Sequence, residues 1–351
     1  LRLRGLNLGR ETDGTVWVNA LLIYGIDPFD PESIAEGRER AAAEAPAVVD
    51  YLRSRIPGFE DATFAGVADT LYIRETRHLE AQCILSADDV LDNRVTATSI
   101  AVGGYPLDVQ TLTPHDSGYV FGVPDIYGVE LCVTVPLAID GLWVVGHSAG
   151  FDPIAHASAR VVPLGMAIAE AVGVAAAWAA ADRLAPREIA ADDGRIATLR
   201  SRLSERGAYL AVPRDRGPVG PVRHPHYEAY RTMLSRGLAV GGYANEPRLD
   251  EPVPAIGFVY LLANVGHRFL DRPDLGGVLV GSHGSYDGPL TPDLAAEITA
   301  AAGCALGRCP PSLDWGALAT AGLVPRDFAP VDDVLTRGEI YAIAAYIADH
   351  D

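Results

Sequence analysis

The stretch from Gly141 to Ala181 constrains the fold more than any other part of the chain. Gly141-Leu142-Trp143-Val144-Val145 is a short apolar run stopped by Gly146, the pattern of a buried strand. A polar loop follows. Pro163 then opens an Ala- and Gly-rich segment, Leu164 to Ala181, with proline at the first helical position ahead of strong helix formers. The order strand, loop, helix predicts that the helix at 164 packs on the strand at 142. Ala167, Ala171, Gly173, Ala175 and Ala176 would let that helix lie close to a sheet, and to a ligand if one is bound.

Two chemistries fit this order. Gly146-His147-Ser148-Ala149-Gly150 matches the G-x-S-x-G elbow of serine hydrolases, with Ser148 as nucleophile and His224, His226, His267 and downstream aspartates to complete a triad. The elbow requires a helix directly after its serine, whereas Phe151-Asp152-Pro153 intervenes here. The second chemistry uses the helix start itself. Its unpaired N–H groups and positive dipole end suit an electron-rich ring edge or an anion. A buried Ala-rich helix without a ligand satisfies the same pattern.

Gly146-His147, His156, Arg160-Val161-Val162-Pro163 and Gly165-Met166-Ala167 together resemble the C-terminal flavin-contacting segment of the FAD-dependent oxidoreductase family. Four further blocks stand in the family's order: Pro57-Gly58-Phe59-Glu60, Ile73-Arg74-Glu75-Thr76-Arg77, Ser86-Ala87-Asp88-Asp89-Val90-Leu91 and Gly104-Tyr105-Pro106-Leu107-Asp108. The resemblance implies FAD as cofactor, held by Gly146, His147, Arg160, Pro163, Leu164, Gly165 and Met166. It implies hydride-equivalent transfer with a small-molecule substrate. His147 stands where the family usually has arginine, and Gln110 where relatives often have histidine.

Arg74 and Arg77 offer planar guanidinium groups for a substrate carboxylate, a phosphate or the flavin edge; an Arg–Glu pair fixing a strand to a helix is the plainer reading. Asp108 either orients substrate or ends a strand. His156 is the candidate acid or base, on its near-neutral ordinary pKa and its place in the loop before the helix.

The expected fold is α/β: a partial FAD-dependent oxidoreductase with a β-rich substrate domain over 1–140, a return to the FAD domain over 141–212, and a mainly helical module over 213–351. Within it, Thr15 to Gly25 reads as a strand and Asp30 to Ile56 as a helix with an Asp-Pro start. No strand followed by G-x-G-x-x-G stands near Leu1, so the chain reads as a fragment, inactive alone.

Pro213 to Pro225, rich in proline and glycine, reads as a linker. Beyond it a pattern recurs loosely at Val253-Pro254-Ala255, Leu290-Thr291-Pro292 and Leu335-Thr336-Arg337, the mark of a helical repeat. Leu335-Thr336-Arg337-Gly338-Glu339 is similar to the Thr-Arg-Ala-Glu element of bacterial S-layer homology domains. That resemblance implies an acidic cell-wall polymer as partner, met by Arg337 and Glu339, and a place in the cell envelope; without export the chain is cytoplasmic. A helical domain that only packs on its neighbour fits equally.

The chain carries 28 Lys plus Arg against 46 Asp plus Glu, a formal net charge of -18, which argues against a nucleic-acid surface. The apolar runs read as too short or too interrupted to span a bilayer. Cys83 and Cys132 read as small buried apolar residues, and Cys304 and Cys309 as a pair able to form a disulfide after export. No Cys/His spacing points to a structural metal.

Overall fold

Asp30 and Pro31 begin the longest helix, α1 (Pro31–Arg55), where the Asp30 carboxylate accepts from the Glu32 N–H at 2.9 Å. It ends one residue short of the expected limit and runs through Pro46 without a break. The computed structural model describes residues 2–111, 113–115, 118–210, 216–282 and 286–350. They form two compact units, 1–78 with 109–119, and 79–108 with 120–351.

The first unit carries α1 and two short antiparallel pairs, β1 (Arg2–Leu3) with β4 (Leu21–Leu22) and β2 (Leu8–Arg10) with β3 (Val16–Val18). The strand expected from Thr15 to Gly25 is therefore broken into two pieces with different partners. Gly37 lets α1 approach Ile26 and Leu71, whose side chains a Cβ there would meet at 2.6 and 2.9 Å. Arg77 stacks on Phe29 with its guanidinium carbon 4.1 Å from the ring centre, and Arg74 lies 5.1 Å from the ring centre of Tyr72.

In the second unit α2 (Ala87–Leu91) starts on a reciprocal cap: the Ser86 hydroxyl accepts from the Asp89 N–H, and the Asp89 carboxylate accepts from the Ser86 N–H. The strand β5 (Ser99–Gly103) is followed by β6 (Asp108–Val109) and β7 (Tyr119–Val120), where the chain passes from one unit to the other and back. β8 (Tyr127–Glu130) pairs antiparallel with β5. Among the described residues no sheet exceeds two strands, so the region 1–140, expected to be a β-rich substrate domain, is sparse in strand.

Four helices follow: α3 (Pro153–Ala159), α4 (Val162–Asp182), α5 (Pro186–Ala190) and α6 (Asp193–Glu205). The strand expected at Gly141–Val145 does not form. Its Val144 N–H donates to Thr134 O at 2.8 Å, but Thr134 sits in a 3-10 turn (Leu131–Thr134) that offers no ladder, and Leu142 and Val145 are exposed. α4 packs on β5, α5, α6 and the 3-10 turn Gly146–Ser148 instead. Among the described helices α4 has the length and apolar composition of a membrane span. Its Leu164, Ile168, Ala171, Val172, Ala175 and Ala179 are nevertheless buried in the unit.

The boundary expected at 212/213 lies outside the described residues. The chain past residue 215 belongs to the same compact unit as α2 to α6. It holds α7 (Tyr227–Ser235), α8 (Ala255–Phe269), α9 (Leu275–Ser282), α10 (Pro292–Ala305), α11 (Trp315–Thr320) and α12 (Arg337–Asp349). Short and long helices alternate. Ahead of the three long ones, the backbone closes a ring: Val253 N–H donates to Leu335 O (3.1 Å), Leu335 N–H to Leu290 O (2.8 Å), and Leu290 N–H to Val253 O (3.0 Å). The three side chains are buried at its centre. α9 packs on α8, α11 on α10, and α7 closes on α12, so each short helix rests on a long one.

Cys83 and Cys132 are bonded to each other, not separate apolar residues. Gln82 N–H donates to Val135 O at 3.0 Å and Leu137 N–H to Glu80 O at 2.8 Å, an antiparallel alignment that brings the two cysteines side by side. Cys304 and Cys309 form the second disulfide, at the end of α10.

Candidate functional site

The residues expected to meet a flavin gather at one end of α4. Val161 caps the helix with no side-chain hydrogen bond, so the first N–H groups of α4 lack the usual Ser, Thr or Asp oxygen. The helix starts at Val162, with Pro163 in its first turn. Val162 and Met166 are 66% and 67% exposed, whereas Leu164 is buried against the unit. Gly165 is open, with no atom within 4 Å of where a Cβ would stand.

Gly146 opens the neighbouring 3-10 turn at a φ of +78, a conformation that favours glycine, and the space over it is likewise open. Neither glycine fills the space beside the helix start. The uncapped helix start, two open glycines and the exposed Val162 and Met166 thus fit the electron-rich edge of an isoalloxazine ring.

Behind this edge the polar groups are tightly held. Asp152 caps α3, accepting from the N–H groups of Ile154 (2.9 Å) and Ala155 (2.6 Å) and from Ala87 N–H (2.6 Å). Burial raises its carboxyl pKa against the pull of those three donors. Asp152 and Pro153 thereby start a helix that the sequence reading left as loop. His156 lies inside it, 2% exposed. His147, on the 3-10 turn, presents its ring edge to that of His156, the centroids 6.2 Å apart. Burial, then the positive charge of Arg160, lowers the pKa of His147, which keeps it neutral near pH 7.

Arg160 is buried at the end of α3 and donates from Nη2 to the Asp108 carbonyl at 3.3 Å. Asp108 thus meets Arg160 through its backbone. The Tyr127 hydroxyl lies 2.7 Å from that of Ser158, and Ser158 donates to Tyr105 O at 2.5 Å, pinning β8 to the inner face of α3. Tyr127 and Ser158 were missed by the sequence reading; no motif marks a buried hydroxyl pair formed from separate segments.

Gly146, His147, His156, Arg160, Asp108 and residues 163–166 are all in the second unit, and Arg74 and Arg77 belong to the first. Ser148 follows no strand, and α3 starts only at Pro153, so the sharp strand-to-helix elbow is not formed. His224 is engaged in the tail, 3.0 Å from Asp250, and His226 packs against Gly338.

In the tail Glu339 is buried. Its carboxylate accepts from Thr336 N–H (2.7 Å), the Thr336 hydroxyl (2.8 Å) and Val331 N–H (3.1 Å), closing a capping box at the start of α12. Arg337 is half-buried and pairs with Glu251 at 3.3 Å, linking the start of α12 to the segment before α8.

No curated protein and no solved structure matches the chain. Residues 3–203 match the family described as FAD dependent oxidoreductase, a span that holds every element of the site at α4 and more than half of the chain. The chain therefore belongs to the FAD-dependent oxidoreductase family, whose cofactor is FAD.

Proposed function

We propose that the protein in its complete form transfers a hydride equivalent between a small organic substrate and FAD, and that this chain holds the flavin edge at the start of α4. The open, uncapped N-terminus of α4 beside Gly146 and Gly165 carries this reading. FAD, when bound, supplies the electron-accepting and electron-donating ring. The chain's own residues do the rest. The first N–H groups of α4 stabilise negative charge on the ring edge, and buried Arg160 adds a positive charge behind it. Met166 and Val162 shield the edge from water. His147, neutral and half-buried, takes or gives the substrate proton, with His156 as its inner partner.

The test is a titration of the purified chain with FAD, read by flavin fluorescence, beside Gly165→Leu. Leucine at that position meets open space in the fold but intrudes on the cofactor. Binding that is weakened in Gly165→Leu is expected. Equal affinity of the two proteins, or no binding by either, sinks the reading. Labelling by a serine-reactive phosphonate at Ser148 would favour hydrolase chemistry instead.

For residues past 215 we infer a second role, attachment to an anionic polymer of the cell envelope. Its support is the ring of backbone hydrogen bonds through Val253, Leu290 and Leu335, with Arg337 beside it paired to Glu251. Two disulfides are also in keeping with an exported protein. The net charge of -18 opposes binding to a polyanion, so the contact rests on the local charge of Arg337. Cosedimentation of the chain with purified bacterial envelopes, lost in Arg337→Ala, is the expected result. A chain that stays in solution at low salt removes the role.

A further inference from the structure

A cavity of about 150 Å³ opens beside the Cys83–Cys132 disulfide, lined by Cys83, Asp89, Arg94, Thr96, Ser99 and Glu130. A cavity of that size takes a molecule of roughly six heavy atoms. Cys83 lines it, and the Glu130 carboxylate sits within 4.8 Å of both sulfurs. This carboxylate is held in place. Its Oε1 accepts from the hydroxyls of Thr96 (2.9 Å) and Thr98 (3.1 Å), and its Oε2 stands 3.6 Å from Cys132 Sγ. A disulfide has no proton to give a carboxylate, so this contact gains a hydrogen bond only once Cys132 becomes a thiol.

We propose that Cys83–Cys132 is a thiol–disulfide exchange site, entered through this cavity by a low-molecular-weight thiol that attacks Cys83. The thiolate sulfur bonds to Cys83 Sγ as the Cys83–Cys132 bond breaks. The electron pair leaves on Cys132, which takes a proton from solvent by way of Glu130 and stays hydrogen-bonded to it. A second thiol then attacks the mixed disulfide. In sum, two thiols are oxidised to one small disulfide while Cys83 and Cys132 are reduced. The site is independent of the flavin reading, because both reductant and oxidised product are small thiol species.

The chain carries its own reference: Cys304 and Cys309 form a disulfide whose two residues are exposed, open to any thiol. The folded full-length chain is treated with 2-mercaptoethanol, acid-quenched at early times, alkylated and mapped by peptide mass. A parallel arm uses a thiol-terminated polyethylene glycol. The expected early product carries the adduct on Cys83 and a free thiol on Cys132, in about tenfold excess over the reverse. The polymer thiol should open Cys304–Cys309 alone. Adducts mainly on Cys132, equal labelling of both sulfurs, or a bond that stays closed while Cys304–Cys309 opens would each overturn the proposal, as would equal opening by the polymer thiol. Glu130→Gln should slow opening of Cys83–Cys132 and leave the exposed pair unchanged; an unchanged rate at both removes Glu130 from the step.

Discussion

Arg231 of α7 donates to the carboxylate of Asp88 at 2.7 Å and lies 2.9 Å from that of Asp92, tying the first helix of the tail to α2. The guanidinium also donates to the Tyr227 hydroxyl at 2.9 Å and is itself buried. Around it Val219 N–H donates to Leu91 O (2.9 Å), Asn93 donates to Gly217 O (3.0 Å), and Asn245 exchanges hydrogen bonds with both backbone groups of Val123 (2.8 and 2.9 Å). Residues 217–245 of the tail are therefore tied to α2 and Val123 of the oxidoreductase segment. Arg231→Ala should cost about 1–2 kcal/mol, since the two carboxylates it leaves behind are half-exposed and regain water. Urea unfolding should show both parts of the second unit lost in one transition; a tail that melts separately at lower urea would contradict this.

Two glycines near α4 should respond in opposite directions. A Cβ at Gly103 would stand 2.5 Å from the Tyr127 ring and 2.9 Å from Leu164, so Gly103→Ala should destabilise by about 1–3 kcal/mol. Gly165 faces open space within the first turns of α4, and Gly165→Ala should stabilise by about 0.5–1 kcal/mol through helix propensity. Urea midpoints of the two variants check the sign.

Stability should fall on mild acidification. Burial lowers the pKa of both His147 and His226 below the ordinary 6.5. The unfolded chain then binds protons that the folded chain refuses, so their contribution is complete above about pH 6.5 and is lost as pH falls below it. Carboxylates add their own acid sensitivity at lower pH. The difference in urea midpoint between pH 7.5 and 5.5 should shrink in His226→Gln; an unchanged difference would exclude His226 as a contributor.

Arg337 and Glu339, though two residues apart, should behave differently. Glu339→Ala leaves the Val331 and Thr336 donors without their buried acceptor and should cost about 1–3 kcal/mol. Arg337→Ala removes one partly exposed ion pair and should cost less than about 1 kcal/mol. Thermal melts compare them. The small effect expected for Arg337 also makes it the cleaner variant for the envelope experiment.

Local signals were legible where one residue pair decides the structure. Asp30-Pro31 set the start of α1, whereas Glu339, expected to meet an envelope polymer, is buried in the capping box that Thr336 opens for α12. The run at 141–145 misled because its apolar content is that of a strand while its neighbour Thr134 lies in a 3-10 turn, a fact of tertiary structure. Asp152-Pro153 is the same kind of start as Asp30-Pro31, but a helix of seven residues gives too little periodicity to stand out. The pairing of Cys83 with Cys132, 49 positions apart, follows from the alignment of 80–82 with 135–137 and is written in no spacing. At the site, the residues around α4 stand next to one another in the sequence. The meeting of His147 with His156 was not legible there, because it needs α3 to turn one toward the other.

The ring through Val253, Leu290 and Leu335 gives the tail a different failure mode from an open repeat array. In a solenoid, deleting a terminal repeat removes one neighbour interface and leaves the remainder stacked, given a polar end cap. Here α12, the last helix, also packs on α7, the first of the tail. Removing the chain from Leu335 onward, α12 included, takes away two hydrogen bonds of the ring and the surface on which α7 rests, so no end of this array is expendable. Because α7 carries Arg231, a cut just before Leu335 would be felt at Asp88 and Asp92, in the segment that belongs to the oxidoreductase family.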